Sequence, residues 1–104
     1  MPRLHYLFLL AAAGLGAFAS APASAALPPK YQRIAELRAV LEHQGVVAAL
    51  GEALIERIEY VRRDLYRVHA GRCHVDATIV GLPMPRGMAG PRRFEVWPGR
   101  RVCR

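Results

Sequence analysis

From Leu65 to Val80, LYRVHAGRCHVDATIV, apolar and polar residues alternate with one interruption. A period of two marks strands with one face buried. The interruption, HAGR, carries the only glycine of the stretch, so the two runs are predicted to form a β-hairpin. A turn centred on Ala70 and Gly71 sets Val68 opposite Cys73, Tyr66 opposite Val75 and Arg67 opposite His74. Tyr66, Val68, Cys73, Val75, Ala77 and Ile79 then share the inner face. Arg67, His69, His74, Asp76 and Thr78 share the outer one. Cys73 and His74 are neighbours in sequence but point to opposite faces, so one metal ion or one active site cannot readily use both.

Flanking segments extend the sheet. LIERIEYV (54–61) alternates, with Ile58 and Tyr60 inward, and RRD breaks it. GLPMPRGMAGP (81–91), with three glycines and three prolines, is a loop. RRFEVW (92–97) is the last strand, with Phe94 and Val96 inward. Aligning Phe94 with Ala77 and Val96 with Val75 puts Trp97 opposite His74 and Glu95 opposite Asp76. PGRRVCR is then a tail that turns back and carries Cys103 to Cys73.

Upstream, ALPPKYQRIAELRAVLEHQG (26–45) reads as a helix. Pro28 and Pro29 suit its first turn. Tyr31, Ile34, Leu37 and Leu41 make one apolar stripe for the core, with Arg33, Glu36 and Arg38 off it. His43 falls in the last turn and Gly45 supplies a left-handed stop. VVAALG adds a further helical turn closed by Gly51. The expected architecture is α+β: an N-terminal helix packed on one face of a four-stranded antiparallel sheet, with one disulfide.

Residues 1–25 are expected to be a cleaved signal peptide. Arg3 supplies a short basic start, YLFLLAAAGLGAF an apolar run too short to span a bilayer, and ASAPASA a small-residue cleavage site ending at Ala25. An uncleaved membrane anchor is the alternative. Cleavage leaves the 79 residues Ala26–Arg104 as a single small domain, with no stable membrane span. A domain of this size buries little apolar surface. Export to an oxidising compartment, periplasmic or extracellular, allows Cys73 and Cys103 to pair. Closing a loop of about 31 residues contributes roughly 3–4 kcal/mol in the chain-entropy picture.

Composition narrows the chemistry. Ala26–Arg104 contains no serine, no asparagine and one threonine, Thr78, so Ser-His-Asp catalysis is excluded. No GK[ST] loop and no GxGxxG is present. A cysteine nucleophile needs a free thiolate, and both thiols are better explained as a bridge. A non-enzymatic protein with no cofactor is therefore expected. The rival is a small metal-dependent or acid-base enzyme on the outer face, using His74, Asp76 and Glu95. A purely structural envelope protein is a third reading.

Charge points to a surface. From Ala26 to Asp64 the six basic and six acidic residues balance, whereas Leu65–Arg104 holds eight arginines against Asp76 and Glu95. The candidate binding residues are Met84, Arg86 and Met88 of the 81–93 loop, Arg92 and Arg93, then Trp97, Arg100 and Arg101 on the C-terminal edge. Arginine beside an aromatic suits carboxylate, phosphate or planar ligands. The expected partner of this inhibitor-like module is a protein or an anionic envelope component. Nucleic acid is set aside, because an exported chain seldom meets it.

Overall fold

The computed structural model describes residues 26–104. The expected signal segment, 1–25, lies outside the described residues. The element order is α1 (Pro29–Glu42), α2 (Gln44–Leu50), β1 (Ile55–Arg62), β2 (Leu65–Ala70), β3 (Cys73–Gly81) and β4 (Phe94–Cys103). The strands form one antiparallel meander in the order β1-β2-β3-β4. Both helices cover one face, giving the α+β architecture with the Cys73–Cys103 disulfide.

The central strands follow the period of two. Tyr66, Val68 and Ala70 of β2 and Val75, Ala77 and Ile79 of β3 are buried, together with Val96 of β4. Val40, Val46 and Leu50 close the core from the helices. The hairpin register differs from the expected one by two residues. The turn is Gly71–Arg72, with Ala70 opposite Cys73, Val68 opposite Val75, Tyr66 opposite Ala77 and Arg67 opposite Asp76. A shift of two leaves every side chain on its predicted face, so hydrophobic patterning cannot detect it. Gly71 settles the matter with φ of 60°, a first-turn-position conformation that favours glycine.

β4 departs further. It does not end at Trp97 but runs through Pro98 and Gly99 to Cys103. Trp97 lies opposite Thr78 and Glu95 opposite Val80, not opposite His74 and Asp76. Cys103 reaches Cys73 as a direct cross-strand partner rather than on a returning tail. Two features let the strand pass Pro98. β4 is an edge strand, where a missing N–H is tolerated. A register shift between Ala77–Pro98 and Val75–Arg101 also places Gly99 and Arg100 in a bulge. At Gly99 a Cβ would stand 3.2 Å from the Asp76 carbonyl oxygen, so any larger residue would crowd the bulge there.

α1 is rotated from its expected placement. Glu36 and Val40 are buried, while Tyr31, Ile34 and Leu41 are 53%, 41% and 41% exposed. Leu37 alone of the apolar stripe packs against the core. Gly45 does not stop this helix. His43 does so by turning extended, and its Nδ1 accepts from the Gly45 N–H at 3.0 Å to cap α2. Gly45 instead permits close packing: a Cβ there would meet Pro98 Cγ at 2.9 Å. α2 ends at Gly51, φ 64°, as the sequence suggests.

Candidate functional site

The candidate residues lie at two ends of the sheet and on two faces. At one end, the loop between β3 and β4 is closed by the Leu82 N–H donating to the Arg93 carbonyl at 2.9 Å. Met84 and Met88 are 38% and 62% exposed on it, and Arg86 is exposed beside them. Arg93, Arg100 and Arg101 are exposed along β4 and its approach. Arg101 faces the helices, close to Gly51, because it pairs across from Val75. Trp97 lies on the bare face and donates from Nε1 to Glu95 at 2.8 Å.

Arg92 is different from its neighbours. Its guanidinium bonds Asp64 at 2.9 and 3.4 Å and approaches Glu36 at 3.8 Å. It ties the loop to the β1–β2 turn, where Asp64 adopts φ of 62°. Its donors are committed to the fold. By contrast, among the described residues Arg86, Arg93, Arg100 and Arg101 form no ion pair.

The bare face of the sheet carries two polar rows. One runs Glu59, Arg67, Asp76 across β1, β2 and β3. Arg67 grips Asp76 bidentately, at 2.7 and 3.1 Å, a geometry that matches a guanidinium to a carboxylate. That hydrogen bond holds the Asp76 carboxyl below its usual range, against some desolvation. The second row runs Arg57, His69, His74, Val102 across all four strands. His69 Nε2 and Glu59 Oε1 are 2.9 Å apart, and this hydrogen bond is the first cause of a lowered Glu59 pKa. The His69 and His74 rings lie 5.9 Å apart.

These rows disperse the His74, Asp76 and Glu95 constellation. Asp76 is taken by Arg67, and Glu95 sits across from Val80, two residues further along the same face than Thr78. The three do not converge. Among the described residues no group of three or more His, Cys, Asp or Glu side chains is arranged to hold a metal ion.

A buried polar cluster escapes the sequence pattern. Glu36 is 7% exposed beneath α1. Tyr66 donates its hydroxyl to Glu36 Oε1 at 2.8 Å, and Gln32 donates to Oε2 at 2.8 Å. Burial, followed by the Glu36 hydrogen bond and charge, raises the Tyr66 pKa. Arg33 stacks over the Tyr60 ring at 3.8 Å beside it. The cluster borders an open cavity of about 460 Å³ that Arg92 and Asp64 also line. Tyr66 itself is fully buried with its hydroxyl bonded, so its role is to fasten α1 to β2. The available signal was the run Gln32, Glu36, Val40, His43, a helical face with alanines between.

No family of known proteins, no curated protein and no solved structure matches the chain.

Proposed function

We propose that this chain is a small exported, non-enzymatic binding module that holds an acidic partner through the 81–93 loop and the arginine-rich C-terminal edge. The observation that carries the reading is the contrast among its arginines. Arg67 and Arg92 spend their guanidinium groups on Asp76 and Asp64, while Arg86, Arg93, Arg100 and Arg101 stay exposed without an ionic partner among the described residues. Unpaired guanidinium groups beside exposed Met84, Met88 and Trp97 suit a partner that presents carboxylates or phosphates along with apolar surface. The disulfide is consistent with an oxidising compartment, periplasmic or extracellular.

The test is retention on an immobilised acidic polymer across a salt gradient. Binding should weaken steeply as salt rises. Replacing Arg93 and Arg100 by Gln should lower the eluting salt concentration, while Met84→Ala with Met88→Ala leaves it unchanged for a simple polymer. Equal retention of the arginine variant and the parent would sink the reading. Arg92 is left intact in this test, because its loss would loosen the loop.

A further inference from the structure

At the opposite end of the sheet from the loop, the disulfide lies under a second cationic group. The row Arg57–His69–His74–Val102 crosses the sheet beside the Gly71–Arg72 turn, and Arg104 follows Cys103 directly. The Cys73–Cys103 pairing and the Arg104 N–H bond to the Arg72 carbonyl, 3.1 Å, bring Arg104 beside Arg72. A cavity of about 260 Å³ opens between Arg57, His69, Arg72, His74 and Arg104. Its volume lies just under the range of about 300–1,000 Å³ typical of pockets for drug-sized molecules, so it suits a single compact group.

Its side-chain charge is one-sided. Among the described side chains, the carboxylate that reaches this group is Glu59, and it is held by His69 at 2.9 Å with Arg57 only at 3.8 Å. Arg72 and Arg104 form no ion pair among the described residues. Asp76, the nearest acid of the next row, is occupied by Arg67 at 2.7 Å. Three arginines and two histidines lining one small cavity match the tetrahedral, multiply charged shape of phosphate better than a single carboxylate.

We infer that this pocket is a phosphate-group site, formed only when the disulfide sets Arg104 against Arg72. The group is carried on a small soluble molecule or on a lipid headgroup. The site stands at the far end of the sheet from the loop, and none of Arg86, Arg93, Arg100 and Arg101 lines it, so it holds or fails independently of the proposed function.

The test is a titration of the purified, disulfide-bonded protein with inorganic phosphate, followed by amide and imidazole NMR shifts at constant ionic strength in chloride. Saturable shifts centred on His69, His74, Arg72 and Arg104 are expected. Arg72→Gln with Arg104→Gln should weaken phosphate at least about tenfold; both side chains are exposed, and the backbone bond between them is untouched. Arg93→Gln with Arg100→Gln should leave the titration unchanged, which separates this site from the loop surface. Competition by vesicles of phosphatidic acid in phosphatidylcholine assigns the group to a lipid headgroup, and its absence assigns it to a soluble molecule. Shifts that never saturate, that chloride alone reproduces, or that survive the Arg72 and Arg104 replacements would overturn the inference.

Discussion

Strand β2 and helix α1 meet at the Tyr66–Glu36 hydrogen bond and obey opposite rules. β2 buries Tyr66, Val68 and Ala70 and leaves Arg67 and His69 outward, as its alternation demands. α1 buries Glu36 and leaves Tyr31, Ile34 and Leu41 more than 40% exposed. A strand in the middle of a sheet is paired on both edges, and the ladder fixes which way each side chain points. A helix over a sheet can rotate about its own axis without breaking a backbone hydrogen bond, so its facing residues are set by whatever fits beneath. Here the Tyr66 hydroxyl, fully buried on β2, needs an acceptor, and Glu36 supplies it at 2.8 Å.

The contrast can be broken most directly with two isoleucines. Ile79→Ala in β3 should cost about 2–5 kcal/mol in denaturant unfolding, because Ile79 is 3% exposed in the core. Ile34→Ala on α1 should cost only about 0.5 kcal/mol. Similar losses at both positions would mean that the α1 stripe is covered after all. Next in size is the Glu36–Tyr66 contact. Glu36→Leu alone strands a buried hydroxyl and should cost about 1–3 kcal/mol. Adding Tyr66→Phe should restore much of that loss, since the buried hydroxyl goes with its acceptor and the half-buried Gln32 amide can turn to water. A double variant as unstable as the sum of the singles would show that the contact does not orient α1.

A third substitution probes the seam between α2 and β4. Gly45→Ala should destabilise by about 1–2 kcal/mol through overpacking on Pro98, where helix propensity alone predicts a gain. The smallest effect concerns the Arg67–Asp76 pair. The folded-state carboxyl of Asp76 is depressed, so its stabilisation is present above the unfolded value of about 3.9 and is lost as pH falls through the lower folded value. An acid titration of stability should show a small step below about pH 4, which Asp76→Asn removes. Both side chains are about one-third exposed, so solvent screening keeps the step small.

The same distinction governs what could be read in advance. Strand faces were legible because alternation marks them without any knowledge of partners. The α+β class and the Cys73–Cys103 bridge followed from the same run and from the cysteine count. Strand registers were not legible. Shifts of two in the hairpin and of four at β4 keep every apolar residue on its face, and so leave the pattern unchanged. That slip is what scattered His74, Asp76 and Glu95. It also hid the row in which Arg57, His69 and His74 line up. The sequence did carry one usable clue to the phosphate pocket: Arg72 and Arg104 flank the two cysteines, so any bridge must gather them.

By itself, then, the sequence determined the order of elements, the inner and outer faces of the central strands and the surplus of arginine in the second half. Each depends on residues near one another in the chain. The tertiary structure decided which arginines are spent and which are free, because Arg92 meets Asp64 and Arg67 meets Asp76 only once the registers are set. It likewise decided that Glu36 lies inside and Ile34 outside. A helix rotates to satisfy the buried hydroxyl beneath it, and the position of that hydroxyl is a property of the assembled sheet.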